Sequence, residues 1–429
     1  MERQRASTAI AVVLTALTAS SAYAAGHHQI CYQGPHYNSL PTVVVQCRSD
    51  VPGVSCSVSL PAAHSGYYPP PAGASTVATY QGSPGTTYTA TINFSDGTQR
   101  KCSTSLAGYF TSVGTAYTRM AGATAPLLTG YTTDQSGLLM TGIWSSQTTT
   151  AQRVQSNTIG VPKDLVLVGG GALGTNYPSG ALISKMSPTG DLEKREWRVQ
   201  TQDALSPQPH NNETYAIGMK IEGVATVDLR NLVAWNFGGS TLAAHPTAQV
   251  APIAGHPAVL GGGAEAFALA YPQTGQFLTA STAIPAIHGF CWNGHCSESI
   301  GATGFFAASK DHGISAPGHV GVWISSMPQA IQVYTAAGLR TFTVETFGRG
   351  VTSGVAAHPG IVVSGRSGEF ALTGVGASVN WQTYGFYGNL LWMVVPRADI
   401  AGVEASSKDH AFSSPATITG YALGVKLVP

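Results

Sequence analysis

Charge is scarce in this chain. Only 10% of its residues are Asp, Glu, Lys or Arg, against a usual ~25%, and the formal net charge is +1. So balanced a surface makes no electrostatic case for nucleic acid or an anionic membrane. Long apolar runs are missing as well. The stretch from Ala9 to Ala19 (AIAVVLTALTA) is too short to cross a bilayer, which takes about 20 residues, and no other stretch is long and apolar enough. Several chemical signatures are also absent. There is no Gly-x-Ser-x-Gly elbow and no His-Glu-x-x-His zinc motif, and no Lys-Ser/Thr follows the glycine-rich segments to make a phosphate loop. No amphipathic helix pattern stands out. Disorder is excluded too, because hydrophobic residues make up 43% of the chain and the mean hydropathy is +0.09.

What is present points to an exported β protein. Arg3 and Arg5, the apolar run and the small-x-small site Ala22-Tyr23-Ala24 read as a signal peptide over residues 1–24. Glycine is abundant at 51 residues, which suits many tight turns. An even count of six cysteines in an exported chain argues for disulfides. Cys31, Cys47, Cys56 and Cys102 fall early and could pair in three ways. Cys291 and Cys296 are close and isolated, so they are expected to pair with each other, with thiolate metal binding as the alternative. The low charge and the signal peptide fit a bacterial source.

Residues 25–112 read as a small β module stapled by cysteines. Thr87 to Phe94 alternates as a half-buried strand does. Ser95-Asp96-Gly97-Thr98 then turns the chain into a second hairpin arm.

Beyond this module the sequence repeats itself three times. Gly-rich strand ends occur at Val168-Gly169-Gly170-Gly171, Leu260-Gly261-Gly262-Gly263 and Thr373-Gly374-Val375-Gly376. An Asp follows each: Asp203, Asp311 and Asp409. A Pro lies six residues after each Asp and an aromatic twelve after it (Tyr215, Trp323, Tyr421). Ala-Ala-His-Pro at 243–246 and 356–359 begins eighteen residues before Gly261 and Gly374. The step from first Gly to Asp is 34 and 35 residues in copies one and three, but 50 in copy two, so copy two carries an insertion of about fifteen residues containing Cys291 and Cys296. The expected organisation is a β repeat over 113–223, a second with the disulfide-loop insertion over 224–328, and a third over 329–429. The fold class is all-β, with three pseudo-repeats around a pseudo-threefold axis, prism- or trefoil-like, or standing as packed sandwich lobes. Leu138 to Trp144 is expected to supply copy three with a strand counterpart and so close the ring.

Candidate chemistry is sparse. The glycines suit bulges and close backbone approach. The Lys-Asp-His blocks offer Asp311, His312, Asp409 and His410 for acid–base work. Neighbours on a strand face opposite ways, however, and the Asp without its His in copy one suits a carboxylate that receives backbone N–H groups. For binding, Trp292, Asn293 and His295 sit on the Cys291–Cys296 loop, and Trp381, Tyr384 and Tyr387 cluster in copy three. Rings of this kind stack on sugar faces with little entropy to lose. Tyr215, Trp323 and Tyr421 are expected in the core. No cofactor or resident metal is expected.

The threefold repeat and exported β character resemble threefold β-lectin architectures such as β-prisms. The resemblance implies a glycan or cell-surface ligand and assigns no site residues. The functional expectation is therefore an exported binding protein, with no nucleic-acid partner and no membrane span. An exported hydrolase using Asp and His, and a structural envelope or surface protein, are the alternatives.

Overall fold

The computed structural model describes residues 27–37, 40–49, 51–59, 75–81, 87–105, 114–175, 181–190, 195–203, 208–268, 276–285, 301–312, 316–335, 338–381, 388–409 and 413–429. Within them the chain is nearly all strand, with one short helix, Thr226–Leu232.

Two three-stranded antiparallel sheets make the N-terminal module. The Thr87–Phe94 and Gln99–Ser105 strands form the expected hairpin. Gly97 takes a positive φ in its turn, where Thr98 donates its backbone N–H to Asp96 at 2.9 Å. Cys47 and Cys56 are joined and sit in a core with Val45, Val58, Ala90, Ile92 and Phe94. Cys102 is disulfide-bonded too. Cys291 and Cys296 lie outside the described residues.

Each of the three copies supplies four strands. Copy one gives Val166–Gly174, Leu182–Pro188, Glu196–Gln202 and Asn212–Ile221. Copy two gives Ala258–Ala268, Phe277–Pro285, Ala302–Lys310 and Gly318–Met327, and copy three Ala371–Trp381, Leu390–Arg397, Gly402–Lys408 and Ala416–Val428. The first, Gly-rich strand always pairs with the last, so that Tyr215, Trp323 and Tyr421 face Gly171, Gly263 and Gly376. The middle two strands form a hairpin that leaves its own copy. Copy one's hairpin joins copy two (Lys185↔Glu265, Met186↔Ala264) and copy two's joins copy three (Ala280↔Ser378, Ser281↔Ala377). Copy three's joins copy one (Ala172↔Val394, Leu173↔Met393). The exchange is cyclic, so three seven-stranded sheets close about a pseudo-threefold axis rather than standing as separate sandwich lobes.

The glycines explain how three sheets can share one axis. Each Gly-rich strand shifts register at the same place, between Leu167 and Gly169, Val259 and Gly261, and Leu372 and Gly374. At Gly374 an added Cβ would lie 2.6 Å from Gly261 Cα and 2.6 Å from Leu260 O, and at Gly169 one would lie 2.7 Å from Thr373 O. Backbone therefore meets backbone at the centre, and no side chain fits between. One step along, the sheets separate enough for a ring. Trp197, fully buried, packs against Gly170 of the neighbouring sheet, and Phe305 packs against Gly262. Copy three solves the same volume with aliphatic groups, because Val403 and Val375 stand at the corresponding positions and both are buried.

Ring closure differs from the expectation. Leu139–Gln147 pairs with copy one's own last strand (Tyr215↔Ser145). Ala234–Gly239 and Gly338–Thr352 do the same for copies two and three. These leading strands extend the sheet of the copy that follows them, and the hairpin of copy three carries the closure.

Candidate functional site

The Asp residues gather at the end of the axis where the hairpins begin. Leu182, Phe277 and Leu390, one from each copy, form an apolar plug there, with Trp392 packed on it. Each plug residue stands opposite the residue preceding an Asp: Gln202, Lys310 and Lys408. Each Asp accepts the backbone N–H five residues on. Asp203 Oδ2 takes that of Gln208, Asp311 Oδ2 that of Ala316 at 3.2 Å, and Asp409 Oδ2 that of Ser414 at 3.1 Å. The carboxylate thus closes its own loop, which accounts for its presence in a copy that lacks the His.

The second oxygen meets a residue from the Ala-Ala-His-Pro motif. His245 Nε2 lies 3.5 Å from Asp311 Oδ1, and His358 Nε2 lies 3.4 Å from Asp409 Oδ1. Asp311 therefore faces His245, not its neighbour His312, which is buried edge-on against Phe277 with ring centroids 6.3 Å apart. His410 lies outside the described residues. The sequence held the signal for these pairs: His245 precedes Asp311 by 66 residues and His358 precedes Asp409 by 51, a difference equal to the insertion. In copy one Val154 takes the His register, so the pair is lost there.

An amide completes each clasp. Gln276 Nε2 donates to Ala244 O (3.0 Å) and Ala316 O (2.7 Å), and Asn389 Nδ2 donates to Ala357 O (2.7 Å) and Ser414 O (3.0 Å). Copy one has Ala181 at this position and places His210 where the others have Gly318 and Ala416. A Cβ on Gly318 would come 2.5 Å from Gln276 Cγ. The two positions therefore trade bulk, and His210 Nε2 reaches Thr201 Oγ1 at 2.9 Å much as Gln276 Oε1 receives Ser309 Oγ at 2.9 Å.

Two lysines are buried beside the plug, Lys310 and Lys408. Burial pushes the Lys408 ammonium down to about 8, with the Asp203 carboxylate pulling the other way. Burial lowers Lys310 as well. For Lys408 the unfolded chain holds its proton up to about 10.4, while the folded chain releases it near 8. Between those values the unfolded state binds more protons, so stability rises with pH across that window; below it the penalty is complete. The span corresponds to about 3 kcal/mol at most. Urea melts at pH 7.5 and pH 10 are expected to show this rise in the parent chain and a smaller one in Lys408→Met, where Lys310 alone remains. Equal rises in both would contradict the assignment.

At the opposite end of the axis, where the insertion returns to the sheet at Gly301 and Ala302, lies an open groove of about 730 Å³ between elements of copies two and three. Phe347 and Phe370 form its floor, their centroids 5.3 Å apart and both nearly inaccessible. Arg366 lies over both rings, its guanidinium 5.1 Å and 6.0 Å from their centres. Lys426 Nζ lies 4.7 Å from the Phe370 ring centre and 3.1 Å from both Glu345 Oε2 and Glu369 Oε1. Burial alone would lower Lys426, but its hydrogen bonds with Glu369 and Glu345 outweigh this and hold it above the usual lysine range. Arg366, Lys426 and Glu345 thus line the groove, and Glu369 pairs with both cations from beside it. It offers fixed donors and acceptors with no net charge, which suits hydroxyl groups better than an ion.

The remaining sequence candidates are placed as follows. Trp292, Asn293, His295, Tyr384 and Tyr387 lie outside the described residues, and Trp381 ends its strand. Tyr215 is buried, whereas Trp323 and Tyr421 are only half-buried, which corrects the core expectation for those two: Tyr421 lies over Gly350 and Trp323 packs on Phe237, outside the main core. Sequence reasoning did not find Arg366, Glu345 or Phe370, because nothing in the repeat pattern marks them; Lys426 recurs as Lys220 in copy one, but the repeat assigned it no role. Among the described residues no three His, Cys, Asp or Glu converge as metal ligands, and no helix is long and apolar enough to cross a membrane. No protein-family model matches the chain, and no curated protein matches it.

Proposed function

We propose that the chain is an exported, non-catalytic binding protein whose ligand is a glycan or another hydroxyl-rich cell-surface or matrix target. The groove beneath Gly301 carries this reading. Its paired Arg366, Glu345, Glu369 and Lys426 are held in place by one another and by two rings. Pre-set polar groups lose little entropy when they engage a polyol. The Cys47–Cys56 disulfide is compatible with export.

A second reading has one observation in its favour. The Asp311–His245 and Asp409–His358 contacts resemble the orienting half of an acid–base pair, and both histidines are partly exposed. Against a hydrolase stands the duplication of the same contact in two clasps whose other bonds all close loops.

Glycan-array binding of the mature chain tests the first reading, with Arg366→Ala, Glu345→Gln and Trp292→Ala beside it. Binding is expected in the parent and weakened roughly tenfold or more by the groove substitutions. A parent that binds no glycan overturns the proposal as stated. Hydrolysis of a polymer substrate that disappears in His245→Ala/His358→Ala, with melting unchanged, would establish the alternative.

A further inference from the structure

A second surface carries sugar-binding chemistry independently of the groove. On the outer face of the sheet that joins copies one and two, cross-strand register lines up two rows. One row is Phe237, Trp323 and Gly263, and the next is Gly239, Gly321, Glu265 and Lys185. Residues in one cross-strand row share a face and touch. Phe237 and Trp323 pack with ring centroids 4.7 Å apart at 51°. Phe237 is 49% exposed, a large figure for a ring on an otherwise well-packed sheet. Gly321 provides the floor. A Cβ there would lie 2.8 Å from Phe237 Cε2 and 3.4 Å from Glu265 Cγ, so the ring and the carboxylate side chain meet above it.

The polar half of this shelf is fixed. Glu265, almost wholly buried, pairs with Arg198 at 3.3 Å and with Lys185 at 4.0 Å. Lys185 in turn lies 4.5 Å from the centre of the Phe267 ring, which is 38% exposed. Exposed rings thus flank a locked carboxylate and guanidinium. An apolar protein partner would leave these ionic groups desolvated without new bonds. A pyranose matches both halves, because its C–H face covers a ring while its equatorial hydroxyls reach donors and acceptors at the ring's edge.

The other two sheets lack this shelf. The rows equivalent to Phe237–Trp323–Gly263 read Ser145–Tyr215–Gly171 and Gly350–Tyr421–Gly376. Each row has one ring and, among its own residues, no second aromatic. A packing need common to all three copies would not require Phe237.

We infer that the Phe237–Trp323 shelf, with Glu265 and Arg198 at its edge, is a binding site for a neutral β-linked oligosaccharide of equatorial sugars. The inference rests on the glycan-binding reading and adds a second site and a sugar class to it. A shelf and a groove on one chain also allow two-point attachment to a polymer, which raises avidity without any new contact.

Calorimetric titration with cellohexaose, chitohexaose and maltohexaose tests it, using the full mature chain. Binding of at least one β-linked hexaose and weaker binding of the α-linked one are expected. Phe237→Ala and Trp323→Ala are each expected to weaken binding roughly 30-fold, and Val362→Ala, exposed on the edge strand of another sheet and part of neither site, is expected to leave it unchanged. Phe237 is exposed, so its variant should melt with the parent; should Trp323→Ala fail to fold, Phe237→Ala alone decides. Hexaose binding that survives Phe237→Ala overturns the shelf. A parent that binds on the glycan array but takes none of the β-linked hexaoses overturns the shelf and leaves the groove standing. Failure on the array and in the titration overturns both.

Discussion

Gly374→Val is expected to melt about 5 °C or more below the parent chain, or not to fold at all. The new Cβ would meet Gly261 Cα and Leu260 O at 2.6 Å. Both are backbone atoms of another copy's central strand, and neither can swing aside as a side-chain tip could. Overpacking usually costs 1–3 kcal/mol, and a backbone clash where the central strands of three sheets meet belongs at or beyond the top of that range, roughly 3 kcal/mol. The comparison is Gly354→Ala, whose added Cβ would have nothing within 4 Å; this variant is expected to melt with the parent or slightly above it. Differential scanning calorimetry reads both. Equal melting of Gly374→Val and the parent would mean that the central strands are not packed as described.

The second large effect is Trp197→Ala, expected to cost about 3–5 kcal/mol. The indole is fully buried and lies between Gly170 of one sheet and Gly263 of another, so its loss opens a cavity that neither glycine can fill. Chemical denaturation is the measurement, and an unchanged slope with a lower midpoint is the expected form. Copy three, with Val403 and Val375 in these places, already divides the volume between both sides.

Much of this architecture was legible from spacing alone. Glycines at 169, 261 and 374 and the Asp–Pro–aromatic rhythm recur because three copies must meet one axis and close three equivalent loops. Strand exchange was not legible. A hairpin reads the same whether it folds back on its own copy or onto the next, and only the two-residue joints such as Leu173↔Met393 decide between these. The role of Leu138 to Trp144 was misassigned for that reason: its likeness to the later leading strands was seen, but not its pairing with Asn212–Ile221. The Asp carboxylates were anticipated as loop caps, while their His partners were missed because each comes from a motif 51 or 66 residues upstream. Groove and shelf residues escaped for a different reason. Arg366, Phe237 and Glu265 are not repeated, and a reading built on repetition passes over whatever one copy does alone.

Both proposed sites depend on the exchange. The shelf takes Arg198 and Lys185 from copy one and Glu265 and Trp323 from copy two, and the groove takes Ala302 from copy two and Arg366 and Lys426 from copy three. Cyclic closure is thus the central claim, and a cross-link tests it most directly. Leu173 and Met393 are register partners although 220 residues apart, and facing strand positions bring Cα atoms within disulfide reach. Leu173→Cys/Met393→Cys, oxidised and mapped by non-reducing peptide analysis, is predicted to yield a 173–393 disulfide in monomeric protein. A folded double variant that keeps both thiols free, or bonds them only between molecules, would contradict the closure.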